Sequence, residues 1–143
     1  MGFEGPRAVG PGVTDHLPEA AEALLTRKPR VAHLATCRED RPHVAPLWYN
    51  YRAGVVEITT TGRKLTNLRH NPRVALSVQE DDDGSAVWGV TLQGTATVVE
   101  DDAERDAMLA RINRRYGADE DAWATNTPVK IDVATVDHWD YES

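Results

Sequence analysis

The strongest constraint on the fold is a series of short segments in which apolar and polar residues alternate, separated by turn signals. Alternation with a period of two is typical of β-strands that bury one face. The first of these segments, RVAHLAT, shows it over its whole length. On this basis strands are predicted at 30–36, 43–52, 55–60, 73–79, 87–99 and 129–141.

Helical patterns are found in three shorter stretches of the chain. Helices are predicted at 17–28, 61–70 and 101–117. The second is stopped by Asn71 and Pro72, because the residue before a proline disfavours the helical conformation. The third begins with acidic residues and ends with basic ones before Gly117, which suits both the helix dipole and a C-cap.

Too few helices separate the strands for a doubly wound parallel sheet. The Ala53-Gly54 pair predicts a hairpin, and Pro46 places its strand at an edge or a bulge because proline cannot donate to a ladder. The predicted fold class is therefore mainly β with short helices, an antiparallel sheet closed into a small barrel. The 143 residues predict a flexible, Gly- and Pro-rich segment at 1–16 and a single domain over 17–143.

Composition excludes several classes of function. The formal net charge of −7 argues against nucleic-acid binding, because phosphate contacts need a basic face. No apolar run reaches the roughly 18 residues that a membrane span needs, and the single cysteine, Cys37, can form no internal disulfide. We therefore expect no nucleic-acid or membrane partner and a cytoplasmic location.

The common catalytic and metal-binding motifs are missing from the sequence. Its five histidines are scattered and include no HExxH motif. There is no GxGxxG after a strand, no P-loop and no GxSxG elbow. The sequence therefore assigns no metal site and no catalytic acid or base.

The segment TTTGRKLTN at 59–67 is the most informative for function. A strand ends in three threonines, Gly62 permits an unusual turn, and Arg63 and Lys64 lie at the start of a helix. Hydroxyls, helix N-terminal N–H groups and two cations together suit a phosphate-like anion. The alternative from local sequence is a capped helix with two solvated basic residues. Cations at a helix N-terminus oppose the dipole unless an anion is bound, which favours the anion site.

A second segment, RPHVAPLWYNY at 41–51, combines a mid-strand proline with an aromatic run. Its free backbone groups suit the edge of a planar heterocycle. Trp48, Tyr49 and Tyr51 are, however, more often core or interface residues than stacking partners. His43 alone is likewise more often a structural histidine than a catalyst.

Taken in order, these segments resemble the pyridoxamine 5′-phosphate oxidase-like, FMN-binding split-barrel superfamily. The resemblance runs from about residue 31 to residue 99, and its most specific part is the run RKLTNLRHNPRVAL. It implies a split β-barrel homodimer with a flavin at each end of the subunit interface. It also implies a set of cofactor-binding residues. Those that hold the phosphate are Arg63 and Lys64, those that touch phosphate and ribityl oxygens are Thr59, Thr60 and Thr61, and those along the isoalloxazine edge are His43, Val44, Ala45 and Pro46.

The chain departs from true pyridoxamine phosphate oxidases in two places. Ala45 and Asn50 stand where those enzymes carry an arginine and a lysine, and the C-terminal KIDVATVDHWDYES has no counterpart of their substrate-binding region. The resemblance therefore implies the short branch of the superfamily, which uses FMN or the deazaflavin coenzyme F-420. The leading hypothesis is an FMN-binding oxidoreductase that acts on an undetermined small molecule by hydride transfer. A deazaflavin-dependent reductase and a non-catalytic flavin carrier or sensor are the alternatives.

Overall fold

The computed structural model describes residues 17–141. It contains seven strands: β1 (Ala32–Arg38), β2 (Arg41–Leu47), β3 (Tyr49–Arg52), β4 (Val55–Thr60), β5 (Arg73–Asp82), β6 (Ser85–Val98) and β7 (Thr127–Asp140). Its three helices are α1 (Glu19–Arg27), α2 (Gly62–His70) and α3 (Asp102–Arg115). All strand pairs are antiparallel, which confirms the predicted fold class. The predicted flexible segment at 1–16 lies outside the described residues.

The strand order explains why this sheet has the shape of a barrel. The strands lie in the order β2-β1-β5-β6-β7-β4-β3, so β2 and β3 form the two edges. Only one residue, Trp48, separates these edge strands in the chain. The sheet must therefore curl until its edges meet, although β2 pairs with β1 and β3 pairs with β4. Pro46 lies on the edge strand β2, as predicted from its missing N–H.

The predicted strand at 43–52 is wrong in one respect, because it is two strands. The ladder is interrupted at Trp48, where the chain passes from one edge of the sheet to the other. Residues 44–49 form one continuous apolar run through this position, so the local pattern contains no sign of the break. The count is consequently seven strands, where the sequence predicts six.

Two glycines in β6 permit close packing against β7. The register of the β6–β7 pair shifts between Gln93 and Gly94, and a Cβ at Gly94 would lie 2.9 Å from the Ile131 Cγ2 atom. A glycine inside a strand commonly marks such an irregularity. Gly89 instead lies within a regular part of the ladder, where a Cβ would overlap the ring of Trp139. Its lack of a side chain makes room for the indole.

The main core lies between α1 and the inner face of the curled sheet. Leu24, Leu25, Ile58 and Trp88 are fully buried there. A smaller cluster joins α3 to the barrel through residues that include Met108 and Ile112. The start of α3 is capped by the Asp101 carboxylate, which accepts a 2.9 Å hydrogen bond from the Glu104 N–H. No residue of the edge strand β2 is fully buried, and Gly62 and Arg63 at the start of α2 are exposed.

Candidate functional site

The N-terminus of α2 carries cations where a helix ordinarily carries acids. Gly62 has a φ of +63°, a left-handed conformation that glycine adopts without steric cost. The first turn holds no acidic residue, and within residues 17–141 the Thr61 hydroxyl makes no capping bond to it. Arg63 and Lys64 follow directly. Exposed N–H groups and two positive charges together favour an anion at this helix end.

Arg63 lines a cavity of about 610 Å³ beside the β1–β2 turn. We call this cavity the basic basin; its lining residues are Arg38, Glu39, Arg41, Pro42, His43, Arg63, Thr66 and Asn67. The turn residues Glu39 and Asp40 both have positive φ values, 52° and 63°, which reverse the chain tightly. The reversal brings Arg38 and Arg41, one on each side of the turn, to the same cavity as α2.

The arginines of the basic basin have no carboxylate partner among the described residues. Arg30, Arg111 and Arg114, by contrast, each pair with a glutamate at 3.1 Å or less. Two basin nitrogens, Arg38 Nε and His43 Nδ1, are buried and make no hydrogen bond within residues 17–141. In a chain of net charge −7, three arginines that line one cavity and have no carboxylate partner in the described part of the chain fit a bound anion.

Lys64 lines a different depression, of about 260 Å³, on the other side of the same helix end. We call it the aromatic pocket; its lining residues are Pro46, Leu47, Trp48, Thr59, Thr61, Lys64, Trp123 and Asn126. Trp48 stacks flat on Tyr116, with ring centroids 4.6 Å apart and an interplanar angle of 4°. Trp123 meets Trp48 edge-on, at 6.3 Å and 88°. One cation, two threonines and an aromatic corner thus surround the pocket.

The aromatic corner formed by Trp48 and Trp123 is supported by Tyr116, on which Trp48 stacks. Its hydroxyl donates a 2.6 Å hydrogen bond to the Arg30 carbonyl and accepts a 3.2 Å bond from the Tyr49 N–H. Burial raises the pKa of the Tyr116 hydroxyl, so the donor remains protonated near neutral pH. Trp48 therefore presents its ring from a rigid support.

The structure divides the residues predicted for the cofactor between these two cavities. His43 and Arg63 line the basic basin, whereas Pro46, Thr59, Thr61 and Lys64 line the aromatic pocket. Arg63 and Lys64 do not share one cavity, and their joint contact with a phosphate stays a prediction.

Three predicted residues lie in neither cavity. Thr60 is fully buried, and its hydroxyl donates to the Thr127 carbonyl at 3.1 Å. Val44 is exposed and lines a third depression, beside His33. Ala45 is half-buried on the same strand. For Val44 and Ala45 the prediction concerns backbone contact to a cofactor, and it stays a prediction.

Several residues that line the two cavities were not predicted from the sequence, among them Arg38, Arg41, Trp123 and Asn126. Arg38 and Arg41 carried a usable signal, since they flank a short acidic turn immediately before His43. Trp123 and Asn126 gave none, because they belong to a polar loop whose position depends on hydrogen bonds from Asn113 of α3. For Trp48 the sequence favours a core or interface role, whereas in the structure this residue lines the aromatic pocket.

Within residues 17–141 there is no group of three or more histidine, cysteine or carboxylate side chains placed to hold a metal ion. None of the helices in that part of the chain is long and apolar enough to cross a membrane.

Comparison with known proteins places this geometry in context. The family model described as pyridoxamine 5′-phosphate oxidase matches residues 17–142. No curated protein matches the chain significantly. A solved F420 reductase is 29% identical, with a TM-score of 0.66 over 86% of this chain and 98% of its own.

Two more solved structures share the fold at lower identity. An FAD-binding protein from Mesorhizobium loti is 22% identical, with a TM-score of 0.69 over 85% of this chain and 94% of its own. A haem storage protein from Vibrio cholerae is 19% identical, with a TM-score of 0.70 over 85% of this chain and 93% of its own. The three proteins are named for different ligands, so the fold alone does not select one.

Proposed function

Because the chain belongs to the pyridoxamine 5′-phosphate oxidase family over residues 17–142, we propose that it binds a flavin-type cofactor and acts as an oxidoreductase on a small molecule. The observation that carries the proposal is that two complementary cavities flank the N-terminus of α2. The aromatic pocket suits a planar ring, and the basic basin suits an anionic arm.

Each part of the site has a role in holding the cofactor. Arg63 and Lys64, on either side of the helix end, approach a phosphate there from two directions, and the first-turn N–H groups add donors. Thr59 and Thr61 offer hydroxyls to the sugar-like chain, and the open edge of β2 offers backbone groups at residues 43–46. When bound, a flavin or deazaflavin supplies hydride exchange at its ring. The protein's part is to orient that ring and keep water from one of its faces.

Oxidation of vitamin B6 is not the proposed activity. Asn50, which stands at a position where the true oxidases carry a basic residue, donates its side-chain amide to the Glu57 carboxylate at 2.9 Å. Ala45, at the other such position, carries no polar group. The substrate phosphate would find no cation at either place.

FMN is the first candidate cofactor, because its single phosphate matches the adjacent cations Arg63 and Lys64. Coenzyme F-420 is the second, and a specific observation favours it. The basic basin extends beyond Arg63 to Arg38 and Arg41, and even with the Glu39 carboxylate counted these residues add positive charge beyond that of Arg63. A cofactor with further acidic groups would use that charge, and one solved relative is named as an F420 reductase.

We further propose that the protein is a cytoplasmic homodimer. Val31, just before β1, and Val44, on the edge strand β2, leave 49% and 63% of their surface exposed. Exposed apolar side chains are commonly covered by a second subunit. Sedimentation equilibrium should give the mass of two chains, and Val44→Asp should shift it toward one.

Titration of the purified protein with FMN, coenzyme F-420 and haem tests the proposed function. Saturable binding of either flavin-type cofactor, with micromolar or tighter affinity, is the expected result. Reduction of the bound cofactor followed by an acceptor panel then separates an enzyme from a carrier. Binding of haem alone would contradict the proposal.

A further inference from the structure

The loop after α3 carries a tryptophan in an unusual setting. Trp123 is 59% exposed, although the fully buried Trp88 shows that this chain can enclose an indole. Its backbone has a φ of +61°, in the left-handed region that a bulky side chain rarely occupies. Neither feature helps folding. Strain that persists at an exposed aromatic residue is commonly found at binding sites.

The surrounding loop is built to hold Trp123 in place. Asn113, which is fully buried on α3, donates its amide to the carbonyls of Glu120 and Ala122 at 3.1 and 2.7 Å. On the far side, the Asn126 N–H donates to the Trp123 carbonyl at 2.9 Å. The tryptophan is thus fixed from both flanks while its indole remains uncovered.

The exposed indole borders a pocket that also contains polar groups. Trp123 lines the aromatic pocket together with Lys64, Thr59 and Thr61, and its edge-on contact with Trp48 sets the two rings at 88°. Two perpendicular aromatic walls leave a corner in which a planar ring can lie against one wall and abut the other. The nearby ammonium group of Lys64 suits an anionic arm on the same molecule.

We propose that Trp123 is a binding residue of the aromatic pocket, whose indole stacks on the planar ring of the cofactor. The inference rests on the proposed function and adds to it the group that covers the ring. Loop 117–126 then acts as a fixed wall of the site.

A glycine substitution separates this role from a structural one. Trp123→Gly removes the indole and at the same time relieves the left-handed backbone. The variant should melt at the wild-type temperature or above, yet bind FMN or coenzyme F-420 about tenfold more weakly. Trp123→Phe keeps a stacking face and should bind within about threefold of wild type. Tyr141→Ala, at an exposed aromatic residue outside the pocket, should not change affinity.

Fluorescence supplies a second readout that does not depend on the stability of the glycine variant. Cofactor binding should quench tryptophan emission in the wild type, and Trp123→Phe should lose a large part of that quenching. Equal quenching in the two proteins, or wild-type affinity in Trp123→Gly, would overturn the stacking role. The proposed function would survive that result if Arg63→Ala with Lys64→Ala still abolished binding. Wild-type protein that binds neither cofactor would defeat both.

Discussion

Arg111 of α3 and Glu57 of β4 form a two-point ion pair, with Arg111 Nε 3.0 Å from Glu57 Oε1 and Arg111 NH2 2.7 Å from Glu57 Oε2. The Glu57 side chain is only 4% exposed, and Asn50 donates a third hydrogen bond to it. The hydrogen-bonded carboxylate raises the pKa of the Arg111 guanidinium, so the guanidinium remains charged. It joins α3 to the strand that ends in the site threonines.

Breaking this pair should destabilise the fold. Arg111→Met leaves a buried carboxylate with one neutral donor, and we expect the free energy of unfolding to fall by about 3 kcal/mol. The exposed pair of Lys130 and Glu104, at 2.9 Å, is the matched control, and Lys130→Met should cost at most about 1 kcal/mol. Urea unfolding measures both. If both variants lost the same free energy of unfolding, the burial of Glu57 would not make its ion pair more important for stability than an exposed one.

Two buried tyrosines should make stability fall at alkaline pH. Burial raises the pKa of Tyr49 to about 12, and burial together with the bond to Glu22 raises that of Tyr51 to about 12. Both pKa values lie above the unfolded value of 10.0. Their contribution is therefore complete below pH 10 and is lost as the pH rises toward 12.

Thermal melts between pH 9 and 12 test this dependence. Tyr49→Phe removes the hydroxyl that donates to the Leu25 carbonyl at 2.6 Å, so it should lower stability at neutral pH. It should also flatten the alkaline decline in part, because Tyr51 and Tyr116 still titrate. A decline as steep in the variant as in the wild type would show that Tyr49 is not responsible.

The basic basin should discriminate between the two candidate cofactors. Arg38→Ala with Arg41→Ala removes charge that FMN does not need, so we expect affinity for coenzyme F-420 to fall tenfold or more and affinity for FMN to fall less than about threefold. Arg69→Ala, an exposed arginine at the other end of α2, is the control. Equal loss for both cofactors would place these arginines at the shared phosphate instead.

The helices and strands can be predicted well from the sequence, whereas the contacts between elements distant in the chain cannot. The hairpin at Ala53-Gly54 and the acidic first turn of α3 follow from local rules and are found as predicted. The break at Trp48 and the pair of Arg111 with Glu57, 54 residues apart, depend on how the sheet curls. No local pattern encodes that curvature.

The candidate site shows the same division. Four predicted residues line the two cavities beside the start of α2, namely His43, Thr59, Arg63 and Lys64. They come close together because they belong to neighbouring strands and to the helix that follows β4. Their split between two cavities follows from the geometry of α2, whose successive residues point about 100° apart. Trp123 reaches the pocket only through the loop that Asn113 holds.

The central claim is that the start of α2 holds the phosphate of a flavin-type cofactor. The most direct test measures equilibrium binding of FMN and coenzyme F-420 to the wild type and to Arg63→Ala with Lys64→Ala, each checked for folding by circular dichroism. We expect the folded double variant to bind about 100-fold more weakly, or not at all, since two charge-assisted contacts are lost. Wild-type affinity in the double variant would contradict the account.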